Sequence, residues 1–141
     1  MLREFIHLFA PLTANCKDFT RRWNEAATFE ADTVAGRWDG QWISAATGHH
    51  GPLSAVLIVT SASRWRVSFR AGYAGVFRAC YATDFTVTRE EDRWIFTGGS
   101  DLGAIAGGRY DYAGSATLTE MSCTYKSSSD HGEFRLTRKG R

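Results

Sequence analysis

Three of the chain's four histidines sit in glycine-flanked turns, Gly48-His49-His50-Gly51 and Asp130-His131-Gly132. Imidazole is the commonest metal ligand and the side chain best suited to moving protons near neutral pH. With Asp101 and Asp130 beside them, these imidazoles could make a zinc or iron set, or one could pair with a carboxylate as a general acid–base group. Their spacing matches no standard ligand pattern, and histidines in such turns are ordinarily solvated, so no metal site is assigned. No Ser–His–Asp or Cys–His arrangement supports nucleophilic catalysis, and Cys123, near Met121, reads as a small core residue. No catalytic residue is assigned, and the chain reads as a binder more than as an enzyme. The stretch Gly98–Gly108 lacks a G-K-[ST] ending and opens no helix, which excludes a phosphate loop. It reads as a connection in which Gly107 and Gly108 bend the following strand.

Whether these groups meet depends on the elements beneath them. In Ser63–Tyr73, Trp65, Val67, Phe69, Ala71 and Tyr73 share one parity, and Arg64, Arg66, Ser68 and Arg70 share the other. A period of two with one apolar face is the mark of a strand with one dry side. Strands are expected over 37–45, 53–60, 64–73, 76–88, 93–98, 106–112, 116–126 and 133–139. The expected fold is all-β: an eight-stranded antiparallel up-and-down β-barrel with an N-terminal helical segment. Closure of the first strand on the last would make the two histidine turns neighbours at one mouth. Inward parity falls on Trp38, Trp42, Trp65, Phe69, Phe77, Tyr81, Phe85, Trp94 and Phe96, and on Tyr110, Tyr112, Tyr125 and Phe134. Such a set could fill a small barrel or line a pocket for a flat apolar ligand. The candidate ligand-binding residues are Trp42, Trp65, Phe69, Tyr81, Tyr110, Tyr112 and Tyr125, with His49 and His131 at the mouth.

Two units are expected: 1–35, a helical segment packed on the barrel, and 36–141, the barrel itself. Leu2, Phe5, Ile6 and Phe9 recur at helical spacing before Pro11, as do Phe19, Trp23, Ala26 and Ala27 behind a cap at Thr13 or Asn15. The expected strand 53–60 is apolar on both faces, so a helix should cover its outer side. These helices are also the surface through which a homodimer would form.

A formal net charge of +2 falls short of the concentrated charge of a nucleic-acid binder. No run is long enough for a membrane span, and the opening apolar stretch is short and broken by His7. Cys16, Cys80 and Cys123 form no C-x-x-C pair, so reduced thiols in a cytoplasmic protein are expected.

Gly36-Arg37-Trp38 resembles the G-x-W hallmark of the lipocalin-like (calycin) barrels. Arg138 falls where those families place an arginine over the tryptophan, and Thr83-Asp84-Phe85 looks like their T-D-Y element with Phe for Tyr. The resemblance spans 36–139 and implies a barrel floor closed by Arg138 stacking on Trp38. In those families the motif is structural and implies no particular ligand. Gly36-x-Trp38-x-Gly40 is also similar to the start of the nitrobindin-type haem barrels, where a histidine near the C-terminus holds the iron. Trp42 replaces the third glycine of that motif and His131 lies in a turn, so no cofactor, haem included, is assigned. The leading functional reading is a non-catalytic barrel that binds a small apolar or aromatic molecule. The alternatives are a structural or oligomerising barrel with a filled core, and a haem-binding or isomerase-type barrel enzyme.

Overall fold

A computed structural model describes residues 16–30, 32–75, 77–101 and 108–140. The helix expected over Leu2–Phe9, its stop at Pro11 and the caps at Thr13 or Asn15 lie outside the described residues. One helix, α1 (Cys16–Ala26), precedes eight strands: β1 (Gly36–Ser44), β2 (His50–Ser61), β3 (Arg64–Tyr73), β4 (Phe77–Glu90), β5 (Arg93–Asp101), β6 (Arg109–Ala116), β7 (Glu120–Lys126) and β8 (His131–Arg138). Each strand pairs antiparallel with the next, and β8 returns to β1, so the barrel is closed.

Alternation drives the closure. On β3, Trp65, Val67, Phe69 and Tyr73 are buried while Arg64 and Arg66 are exposed. On β7, Met121, Cys123 and Tyr125 are buried between exposed neighbours. The β1–β8 seam has Trp38 opposite Arg138, Gly40 opposite Leu136 and Trp42 opposite Phe134. Gly40 makes this approach possible: a Cβ there would lie 1.8 Å from the carbonyl oxygen of Arg135.

Helix α1 lies on the outer wall as the doubly apolar β2 requires. Its Phe19 and Ala26 bury with Val56 of β2 and Cys80 of β4. Arg70, which reads as a solvent-facing charge, instead lies under the helix with its guanidinium 4.8 Å from the Phe19 ring centre.

Several expectations need correction. Cys16 and Cys80 are joined in a disulfide with their Cα atoms 5.1 Å apart, so two of the three thiols are not reduced; only Cys123 is free. The fold carries α1 over β4 and brings together residues that their sequence spacing does not link. Arg138 does not stack on Trp38. The cation–π contacts among the described residues are Arg37 on Trp23, Arg70 on Phe19 and Arg89 on Trp94. The Arg138 guanidinium instead donates to the carbonyls of Glu30, Ala35, Arg37 and Lys139. It thereby ties the entry of β1 to the end of β8, a seam held by main-chain oxygens. Trp38 remains fully buried and donates its indole N–H to Val34 O at 2.9 Å.

Phe77, of inward parity, stands at the open end of β4 and is 40% exposed. The small residues Ala113-Gly114-Ser115 read as a turn, yet they continue β6, and the turn falls at 117–119. A Cβ at Gly114 would lie 2.3 Å from Ser122 O and 2.7 Å from the Phe96 ring, so glycine there permits close strand approach. Gly98 and Gly99 likewise lie within β5, where a Cβ on Gly98 would strike the Phe85 ring at 2.5 Å.

Candidate ligand site at the mouth of the barrel

The two ends of the interior differ in kind. Toward the floor, where the turns 62–63, 91–92 and 117–119 lie, large apolar side chains meet directly. Trp65, Phe85 and Phe96 are at most 2% exposed. Phe85 and Phe96 stack with ring centres 4.5 Å apart, and Trp65 lies 5.9 Å from Phe96 and 6.0 Å from Trp94. Phe69 is enclosed by Tyr81, Phe85 and Phe134. Trp65 and Phe69, both candidates from sequence, therefore belong to the packed layer.

At the opposite end the two histidine turns are neighbours, as barrel closure requires. Ser44 Oγ donates to Asp130 Oδ1 at 2.6 Å, His131 N donates to the same oxygen at 2.8 Å, and Ala45 N donates to His131 O at 2.8 Å. One side of the mouth is an aromatic stack. His49 lies over Tyr73 and Tyr73 beside Trp42, with centres 5.7 and 6.1 Å apart. The Tyr73 hydroxyl and His49 Nδ1 are 3.0 Å apart, and Trp42 Nε1 donates to Gly72 O at 3.0 Å. An open depression of about 370 Å³ lies beside this stack, lined by Thr47, Gly48, His49, His50, Tyr73 and Ala74. Tyr73 is the residue sequence reasoning passed over, although its parity on β3 already marks it as inward.

Four phenols line the rest. The Tyr110 and Tyr125 rings are 6.3 Å apart, and Tyr112 lies 5.9 Å from Phe85. Burial pushes all four hydroxyls away from ionisation. Tyr112 rises to about 12 through desolvation, although hydrogen bonding from Tyr81 opposes the rise. Desolvation lifts Tyr81 well above its ordinary value, and its bond to Tyr112 adds to this. Tyr110 and Tyr125 rise through burial, and the negative charge of Asp130 adds to both. Cys123, among the same groups, is pushed up to about 12 by burial, which makes it a poor nucleophile.

Two polar atoms in this half are buried without a hydrogen bond of acceptable geometry: Tyr125 Oη and Ser100 Oγ. Native proteins rarely leave such groups unpaired, because each forfeits about 1–3 kcal/mol of hydration. Tyr125 is only 9% exposed; an open depression of about 650 Å³ beside its strand is bordered chiefly by outward-facing residues, the exposed Ile43, Thr124, Lys126 and His131, with Glu133. Gly132 keeps the hydroxyl clear, since a Cβ there would lie 2.7 Å from it.

The histidines do not assemble into a metal set. His50 and His131 are exposed, and His49 is engaged with Tyr73. Among the described residues no group of three or more His, Cys, Asp or Glu is placed to hold a metal ion. Asp101 ends β5 opposite Arg109. No helix among the described residues is long and apolar enough to cross a membrane.

No protein-family model matches the chain, and no curated protein matches its sequence. Solved structures do match its fold. A redesigned β-barrel, mFAP1, bound to DFHBI aligns with a TM-score of 0.56 at 11% identity, covering 77% of this chain and 97% of that one. Another redesigned barrel, b11L5F_LGL, aligns with a TM-score of 0.55 at 12% identity over 79% and 95%. The crystal structure of Rv2717c from M. tuberculosis aligns with a TM-score of 0.54 at 11% identity over 75% and 92%. At such identities the likeness is one of fold. The chain is a closed eight-stranded up-and-down barrel, the architecture that the lipocalin-like resemblance implies.

Proposed function

We propose that this barrel binds a small, flat, largely apolar molecule at its mouth, without catalysing a reaction on it. The observation that carries the reading is the change in character along the interior: Trp42, Tyr73, Tyr110, Tyr112 and Tyr125, 5–9% exposed, stand toward the histidine turns, where the floor has Trp65, Phe85 and Phe96. In that half two buried hydroxyls, Tyr125 Oη and Ser100 Oγ, make no hydrogen bond of good geometry. Binding sites in folds of this kind are concave, mostly apolar and furnished with a few convergent polar groups. Two of the structural neighbours point the same way: one is described as bound to DFHBI, and another as a fluorescence-activating barrel. His49 contacts Tyr73 on one side of the mouth, and the exposed His131 lies in the neighbouring turn.

The oligomeric alternative draws less support. The apolar face of α1 is already covered by the barrel, and its outer charges pair within the helix, Asp18 with Arg21 and Arg22, and Glu25 with Arg21. The Cys16–Cys80 bond favours an oxidising compartment over the cytoplasm.

The test is a fluorescence titration of the full chain with 2-naphthol, a flat ring bearing one hydroxyl. Saturable one-to-one binding is expected, weakened several-fold by Tyr125→Phe and by Trp42→Leu. Binding that is absent, or indifferent to both substitutions in folded protein, would refute the proposal.

A further inference from the structure

The Cys16–Cys80 bond fastens α1 to the barrel wall, and its two sulfurs differ in their surroundings. Cys80 is 1% exposed and packs with Phe19 and Val56 on the outer face of the barrel. Cys16 opens α1 and is only half-buried. A thiolate arriving from solvent therefore meets the Cys16 sulfur first.

The charges around Cys80 suit it to leave as a thiolate. In the β3–β4 register Cys80 stands directly opposite Arg70, which puts their Cβ atoms about 5 Å apart on the outer wall. Arg70 stacks on the Phe19 ring at 4.8 Å, and among the described residues no carboxylate forms an ion pair with it. Burial beneath α1 disfavours its positive charge, Arg78 adds to this, and Asp39 of β1 offsets it only in part. The exposed Arg78 lies two residues before Cys80 on the same face of β4. The remaining charges nearby are committed elsewhere. Asp18 of α1 pairs with Arg21 and Arg22, Arg66 of β3 pairs with Asp84 of β4, and Asp39 is held by Ser54 and Lys139. Cations of this kind stabilise a thiolate, and the sulfur that is more stable as a thiolate leaves faster.

We propose that Cys16 is a site of reversible modification by small thiols, with Cys80 as the departing and resolving sulfur and Arg70 as its counter-charge. The incoming thiol gives its proton to solvent, and its electron pair forms a bond to Cys16 Sγ. The Cys16–Cys80 bond breaks, and its electron pair leaves on Cys80 Sγ beside Arg70. The small thiol is thereby oxidised into the mixed disulfide and Cys80 is reduced. In the reverse step Cys80 attacks Cys16 Sγ, expels the small thiolate and closes the bond again; until then α1 lacks its covalent tie. This site lies on the outer wall and is independent of the binding reading for the mouth.

The oxidised full chain is treated at neutral pH with 2-mercaptoethanol, an uncharged thiol, and the exchange is stopped with N-ethylmaleimide, which caps the Cys80 thiol so released. Peptide mapping by mass spectrometry should find mercaptoethanol on Cys16 and the maleimide on Cys80. Arg70→Gln should slow the exchange about tenfold, since the departing thiolate loses its counter-charge. A merely structural role has the opposite sign, because losing the Phe19 contact loosens α1 and exposes the bond. Arg70→Lys keeps a charge and should exchange near the parent rate. Arg135→Gln, on β8 across the barrel, should change nothing and so excludes an effect of net charge. In Cys16→Ser, iodoacetamide at mildly acidic pH should modify Cys80 about fivefold faster than in Cys16→Ser/Arg70→Gln. If Cys16→Ser fails to fold, the mapping and the Arg70 series on the disulfide-bonded chain still decide. Mercaptoethanol on Cys80, reached through the cleft of about 230 Å³ that borders it beside α1, overturns the order of attack. An exchange rate unchanged or raised by Arg70→Gln overturns the role given to Arg70. A bond that exchanges only in urea-unfolded protein overturns the site.

Discussion

Reduction of Cys16–Cys80 should destabilise this protein markedly without dismantling the barrel's design. The bond closes a chain segment with a sequence separation of 64. In the chain-entropy account, a loop of that length restricts the unfolded ensemble by about 4 kcal/mol at 25 °C. The native side adds a local effect. With 11 residues, α1 is too short to persist alone in water, and it is held by Phe19 and Ala26 against Val56 and by the disulfide itself. Reduced protein should therefore lose α1 first, exposing Val56 and the Phe19–Arg70 contact. The assay is urea unfolding followed by tryptophan fluorescence, with and without a phosphine reductant and against the Cys16→Ser/Cys80→Ser double variant. At a slope of about 2 kcal/mol/M, the midpoint should fall by about 2 M in both cases. Alkylation under native, oxidised conditions should leave Cys123 unmodified, since it is buried. Equal midpoints for oxidised and reduced protein, or a double variant as stable as the parent, would show that the bond does not fasten the helix as described.

Further outcomes follow from the seam and from the phenols. Gly40→Ala should prevent β1 from closing on β8, because its Cβ would lie 1.8 Å from Arg135 O; loss of cooperative melting is the expected readout. Gly48→Ala meets no atom within 4 Å and should cost only about 1–2 kcal/mol, from its φ of +77°. Above pH 10 the protein should become progressively less stable. The buried phenols keep their protons in the folded state while the unfolded chain releases them, so the stability they contribute is intact below pH 10. It is lost as pH rises toward about 12, the value for Tyr112. Tyrosinate absorbance at 295 nm and melting temperature, measured on the same samples, should move together over that window.

The barrel was legible because alternation on segments such as Trp65–Tyr73 and Met121–Tyr125 leaves one face apolar, and eight such segments without a crossover must close or leave edges. The adjacency of the histidine turns followed from topology alone. What escaped were features that depend on close approach or on distant partners. Gly98-Gly99 and Ala113-Gly114-Ser115 look like turns because small residues mark turns, but here they let strands approach the Phe85 and Phe96 rings and Ser122 O. The Cys16–Cys80 bond has no local pattern, because it links a helix to a strand lying beneath it. Arg138 was correctly placed opposite Trp38 but not correctly partnered: four carbonyls beside the seam take the guanidinium in place of a ring face. Within the candidate set, parity put Trp65 and Phe69 inside the barrel but could not say that their level along the axis is filled.

The claim that a small molecule occupies the mouth and not the floor is tested most directly by NMR. Amide and aromatic side-chain shifts of the full chain would be followed as 2-naphthol is added. The account predicts the largest changes at Trp42, Tyr110, Tyr112 and Tyr125, with Trp38, Trp65 and Phe96 nearly unmoved. Changes centred on the floor residues, or on the outer wall beside α1, would contradict it.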